Sequence, residues 1–78
     1  MAIQDFPLQG EFIELNVLLK LMAFASSGGA AKAMIAEGAV RVGQQVETRI
    51  RRKLRAGDVV QLGDNTIRIA AANRAGAR

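Results

Sequence analysis

The 78-residue sequence contains no cysteine, histidine, tryptophan or tyrosine, and a single proline. Without cysteine there is no disulfide and no thiolate metal site, so a hydrophobic core alone must hold the chain. Without histidine, cysteine or tyrosine, only carboxylates, lysines and hydroxyls remain for acid–base or nucleophilic work, and none has a credible catalytic partner. Glu11 and Glu14 fall on an early strand. Asp58 and Asp64 fall in turns, where hydrogen bonds from side chain to backbone account for them. No catalytic residue, metal ligand or cofactor is expected. Long apolar runs are missing too. The longest, Leu15 to Ala25, is interrupted by Asn16 and Lys20 and is too short to span a bilayer. The start carries Asp5 and no basic stretch, unlike a secretory signal. A soluble cytoplasmic protein with no membrane partner is the expectation.

What is present is apolar material and positive charge. Half of the residues are apolar, enough to fold, although Phe6, Phe12 and Phe24 are the only aromatics. A domain of about 60 residues buries only roughly 60% of the surface its unfolded chain exposes. Nearly every large apolar side chain is therefore needed inside one domain, and little is left to line a deep pocket. Charge is unevenly placed: residues 1–37 carry a net −2, whereas residues 38–78 carry a net +6. That asymmetry puts a polyanion partner on the second half.

Glu11 to Leu15 alternates imperfectly and reads as a short edge strand, with Asn16 after it as an N-cap. A first helix is expected from about Val17 to Phe24, with Leu18, Leu21 and Met22 on its core face. Ser26-Ser27-Gly28-Gly29 is a polar break. Ser27 then caps a second helix in which Ala31, Met34 and Ile35 repeat the core spacing until Gly38 stops it. From Ala39 the period changes to two. Val40, Val42 and Val46 alternate with polar residues around Gly43-Gln44, which predicts a hairpin with a type II′ turn and Arg41 on the face opposite the valines. Val59, Val60 and Leu62, then Gly63-Asp64-Asn65, then Thr66, Ile67 and Ile69 give a second hairpin.

Between the hairpins lies Arg49-Ile50-Arg51-Arg52-Lys53-Leu54-Arg55, with five cations in seven residues. If Ile50 and Leu54 anchor the segment on the sheet, the basic side chains are displayed together, at a cost in repulsion that a polyanion would relieve. Arginine can grip phosphate oxygens bidentately and lysine adds a point charge. The bland alternative is a solvated charge run.

These features resemble the αL RNA-binding motif, first associated with small-subunit ribosomal protein S-four and shared by some pseudouridine synthases and tyrosyl-tRNA synthetases. The carriers are Leu15-Asn16 with Leu18, then Ser27, Ala31-Lys32 and Ile35, then EGAVRVGQQVETRIRRKLRAGDVVQL from Glu37. The chain looks like the bacterial subgroup in which this domain stands alone. The resemblance implies an α+β fold, a two-helix hairpin packed on a small, bent, mostly antiparallel sheet. The match spans roughly Leu15 to Ile69, and the chain as a whole reads as an N-terminal extension over 1–10, a single RNA-binding domain over 11–72 and a flexible basic tail over 73–78. The resemblance puts Lys32, Arg41, Arg49, Arg51, Arg52 and Lys53 nearest the RNA, with Ser27 as a phosphate contact and helix cap and Lys20 on a looser match. The chain departs from the family at Gly28, where an arginine is usual, and at Gly43-Gln44, where Asn-Gly is usual.

A monomer binding structured RNA of the ribosomal or transfer class is the expected function. Sequence-specific DNA readout is not expected, because the second helix offers only Lys32 as a long polar reader. Stacking on single strands is not expected either, since the three phenylalanines are few and read as buried or near the start. The competing reading is a protein-interaction module that docks on a ribosomal or other ribonucleoprotein surface.

Overall fold

The computed structural model describes residues 2–71. The tail expected over 73–78 lies outside them. In chain order the elements are β1 (Ala2–Leu8), β2 (Ile13–Glu14), α1 (Leu15–Leu21), α2 (Gly28–Ala36), β3 (Val40–Val42), β4 (Gln45–Val46), β5 (Lys53–Leu54), β6 (Val59–Leu62) and β7 (Asn65–Ala71). Five strands form one sheet in the order β1-β7-β6-β3-β4, and β2 pairs with β5 in a separate two-stranded ribbon. Only the β1–β7 pairing is parallel. The expected class therefore holds: α+β, with two helices against a mostly antiparallel sheet. None of the described helices is long and apolar enough to cross a membrane.

The period-two pattern does what it predicts in the second half. Val40 and Val42 are buried on either side of exposed Arg41, Val60 is buried across from Ile67, and Ile67 and Ile69 flank exposed Arg68. Leu15, Leu18 and Leu19 of α1 and Ala31 and Ile35 of α2 complete the core with Leu54. Ala31, with only a methyl group, is fully buried where the helices pack together.

Four local expectations are corrected. Residues 2–8, read as part of an extension, form β1, whose Phe6 and Leu8 turn to the core while Asp5 faces Arg68 across the parallel ladder. Pro7 is tolerated because β1 lies at the sheet edge. Helix α1 begins at Leu15, so Asn16 lies inside it and Glu14 is the N-cap, without a side-chain capping bond. The helix is thereby rotated, burying Leu19 and leaving Leu21 62% exposed. The Gly43-Gln44 turn has positive φ at both residues, 60° and 74°, which is type I′ rather than type II′. That tight turn pairs Val42 with Gln45 and Arg41 with Val46, so Val46 points outward and is 54% exposed.

The Ser27 cap forms as expected: its Oγ accepts from the Ala30 amide at 3.1 Å. Gly38, with φ 81°, ends α2, its amide donating to the Ile35 carbonyl at 3.0 Å while Ala39 donates to Met34 at 3.1 Å.

Candidate nucleic-acid interface

The basic segment is held from both ends and from beneath. Leu54 is fully buried and Ile50 packs partly buried against the core. Burying a leucine contributes about 1.5–3 kcal/mol, so these two side chains fix the depth of the segment. Its orientation comes from hydrogen bonding. The amides of Leu15 and Asn16, in the first turn of α1 where no intrahelical acceptor exists, donate to the carbonyls of Arg52 at 2.9 Å and Ile50 at 3.1 Å. The start of α1 is thus capped by backbone from the basic segment, and the segment is pinned to the helix.

The same turn that pushes Val46 out brings Glu47 in. Continuing the β3–β4 register one step sets Glu47 opposite Val40, and the Glu47 amide donates to the Val40 carbonyl at 2.9 Å. The Glu47 side chain is only 12% exposed. Its carboxylate accepts from Arg49 Nε at 3.0 Å, Arg49 Nη2 at 3.1 Å and Arg52 Nη1 at 3.0 Å. Hydrogen bonding from Arg49, with further attraction from both guanidinium groups, outweighs the opposing effect of burial and holds the Glu47 carboxyl down at about 2. Arg49 is raised in turn by its bond to Glu47.

This qualifies the picture of five freely displayed cations. Two of the guanidinium groups contact the chain's own acid, and one carboxylate against five cations still leaves the segment strongly positive. Arg51 and Lys53 are exposed and make no ion pair among the described residues.

Two recesses organise the surface. One, of about 420 Å³, is a groove lined by Arg49, Arg51, Arg52 and Lys53. The other, of about 370 Å³, is lined by Asn16, Gly28, Lys32, Ile50 and Arg51. Arg51 belongs to both. The second recess joins the first turns of both helices to the basic segment. Helix geometry leaves the first amides of α2, those of Gly28 and Gly29, without intrahelical acceptors, and a partial positive charge develops there. A Cβ at Gly28 would meet no packed neighbour within 4 Å, so tertiary packing does not require a glycine at this helix end. The Asn16 Oδ1 is buried and has no hydrogen-bond partner among the described residues.

The expected residues are therefore only partly gathered. Lys32, Arg49, Arg51, Arg52 and Lys53 line the two recesses that share Arg51, with Ser27 immediately before Gly28. Arg41 lines a different recess with Gly38, Ala39, Gln61 and Gly63. Lys20 sits in the last turn of α1, at the opposite end of that helix from Asn16, where a cation complements the helix dipole. Three neighbours went unmarked in the sequence: Asn16 as a lining residue, Glu47 as the acid that orders two arginines, and Phe12. The Phe12 ring is 39% exposed and carries Lys53 Nζ at 4.9 Å and the Arg55 guanidinium carbon at 5.9 Å from its centroid.

The arrangement of two helix starts against one basic strand can be compared with known proteins. A family model described as the S4 domain matches residues 6–70. The chain belongs to the S4 domain family. Within it, the chain is 44% identical over 59 residues to the "Putative RNA-binding protein YbcJ" of Escherichia coli (strain K12), covering 76% of this chain and 84% of that protein. An uncharacterized YbcJ of Shigella flexneri matches to the same extent. The solution structure of YbcJ from E. coli superposes with a TM-score of 0.61 at 39% identity, over 91% of this chain and 89% of that one, and is described as revealing an αL motif involved in RNA binding. This S4 domain thus shares its architecture with a protein whose αL motif was recognised from its own fold.

Proposed function

We propose that this S4 domain binds structured RNA, of the ribosomal or transfer class, without catalysing a reaction. The observation that carries the reading is the convergence of Lys32, Arg51 and the start of α2 on one recess, which shares Arg51 with the arginine-lined groove. Guanidinium groups and free helix amides both suit phosphate oxygens. A-form RNA offers such a backbone together with 2′-hydroxyl groups, without requiring a helix that reads bases. The family membership, and the RNA-binding descriptions carried by YbcJ of E. coli, support the same reading.

The test is binding of a folded RNA hairpin against duplex DNA of equal length, across salt. The expected result is tighter binding to RNA, with a log-log salt slope of roughly −3 to −4 if about four phosphates are neutralised. Arg51→Ala combined with Arg52→Ala should weaken binding while the domain stays folded. A flat salt response, or equal affinity of the double variant at low salt, would sink the reading.

A second reading, docking on a protein surface, is favoured by Val17 and Leu21. They lie one helical turn apart on α1 and are 40% and 62% exposed. Val17→Lys with Leu21→Lys separates the two, because it would abolish protein docking and leave RNA affinity unchanged or raised.

A further inference from the structure

Phe12 is unlike the other two phenylalanines. Phe6 and Phe24 pack partly buried against the core, whereas Phe12 is 39% exposed just ahead of β2. Its surroundings follow from strand geometry. Ile13 pairs with Leu54, and Leu54 is fully buried, so that pair faces the core. Glu14 and Lys53, the next pair, face the other way, and period-two alternation puts Phe12 and Arg55 on that outer side as well. The diagonal neighbour Lys53 and the facing Arg55 then come to lie over the ring. Glu14 is the one acid of this ladder face among the described residues. It is half-buried, and neither Lys53 nor Arg55 forms an ion pair with it. Arg55 is further steadied by a long contact from Nη1 to the Glu11 carbonyl, at 3.5 Å.

A ring left 39% exposed with two cations over it keeps apolar surface in contact with water that a core this small could have used. It matches instead what an unpaired nucleotide requires: an aromatic face for the base and adjacent positive charge for the phosphates. Lys53 supplies the continuity, because it borders the arginine-lined groove and also stands over Phe12.

We propose that Phe12, with Lys53 and Arg55, forms a stacking subsite for one unpaired base of the bound RNA, next to the phosphate-binding groove. The inference rests on the RNA-binding reading and adds a ligand class to it: a folded RNA with a single-stranded extension or bulge beside its helix. The structured part occupies the arginine groove, and the chain continues over Lys53 onto the ring.

The protein supplies its own probe, because it contains neither tryptophan nor tyrosine. Phe12→Trp introduces a single indole whose fluorescence reports stacking directly. Two RNAs are compared, a blunt hairpin and the same hairpin with a single-stranded adenosine extension, each followed by fluorescence anisotropy of a label on the RNA. With the extended hairpin, the indole emission of Phe12→Trp should be quenched in parallel with the anisotropy. Phe12→Leu, which keeps apolar bulk but removes the aromatic face, should bind the extended hairpin about fivefold to a hundredfold more weakly and the blunt hairpin unchanged. Thermal melting of both variants checks the fold, and recovery of binding by Phe12→Trp excludes a packing defect as the cause of the loss. Unquenched indole emission during saturable binding, or equal affinity of Phe12→Leu and wild type for the extended hairpin, overturns the subsite and leaves the groove intact. Failure of the wild type to bind either RNA at low salt overturns the RNA reading, and this inference with it.

Discussion

Arg52 Nη1 stands 3.0 Å from Glu47 Oε1, so the acid that closes the first hairpin also fixes an arginine of the basic segment. Arg52 is half-buried and Arg49 exposed, and the two guanidinium groups reach the same carboxylate from different positions in the segment. Glu47 is thereby a positioning group inside a positive surface, and its charge opposes the one the surface is built to present.

Replacing it separates those roles. Glu47→Gln should lower stability at neutral pH on the order of 1 kcal/mol, because Arg49 is exposed and solvent screens the pair. The same change should tighten RNA binding at low salt and steepen the log-log salt slope by roughly 0.7–0.9, since one more cation is free to meet phosphate. Denaturant melts and salt-dependent titrations check the two halves.

The pH dependence has a definite sign. The Glu47 carboxyl is lowered from 4.5 to about 2 in the folded chain. The stabilisation it brings is therefore complete above pH 4.5 and disappears as pH falls through about 2. The stability difference between wild type and Glu47→Gln should be constant from pH 5 to 7 and shrink below that window. A difference that persists unchanged in strong acid would contradict the assignment.

Leu54 carries the segment from below. Leu54→Ala should cost about 2–5 kcal/mol, read as a lower denaturation midpoint, and should weaken RNA binding even at temperatures where the domain remains folded. Arg51→Ala should leave the melting temperature unchanged while reducing the salt slope by roughly 0.7–0.9. The contrast distinguishes a residue that seats the surface from one that is the surface.

Among the described residues, two that are not glycine adopt left-handed backbone conformations: Ala23, with φ 65° just past the end of α1, and Gln44, with φ 74° in the I′ turn. A side chain there costs roughly 1–2 kcal/mol. Ala23→Gly and Gln44→Gly should each raise stability by about 1 kcal/mol in equilibrium unfolding, without affecting RNA binding.

Much of the chain from Ser27 onward was legible because its signals are local. Ser27, Gly38 and the alternation at Val40-Arg41-Val42 each specify structure within a few residues, and the structure follows them. The failures share a different cause. Helix α1 begins earlier than its sequence suggests because Arg52 and Ile50, far along the chain, supply its N-terminal acceptors, and no local residue announces that. Val46 points outward and Glu47 inward because any two-residue turn at Gly43-Gln44, of either type, pairs Val46 with exposed Arg41, a consequence that the valine spacing alone conceals. Strand β1 carries no clear alternation because Ile3 falls on the exposed face and Gln4 on the inward phase, Pro7 speaks against a strand, and its partner lies at the far end of the described chain. Among the site residues, the run from Arg49 to Arg55 was plain. The recess that joins Arg51 to Lys32, and the placement of Phe12 beside Lys53, depend on the two-residue pairing of β2 with β5, which is too short to leave a pattern.

The parallel ladder between β1 and β7 imposes an order on biogenesis. Asp5 and Arg68, 63 positions apart, meet across it, so β1 has no partner until β7 has emerged. Local hairpins and helices can form beforehand, but closing so large a loop carries a high entropic barrier and comes late. A chain halted after β6 leaves both β1 and the facing edge of β6 unpaired and lacks the share of the core that Ile67 and Ile69 supply.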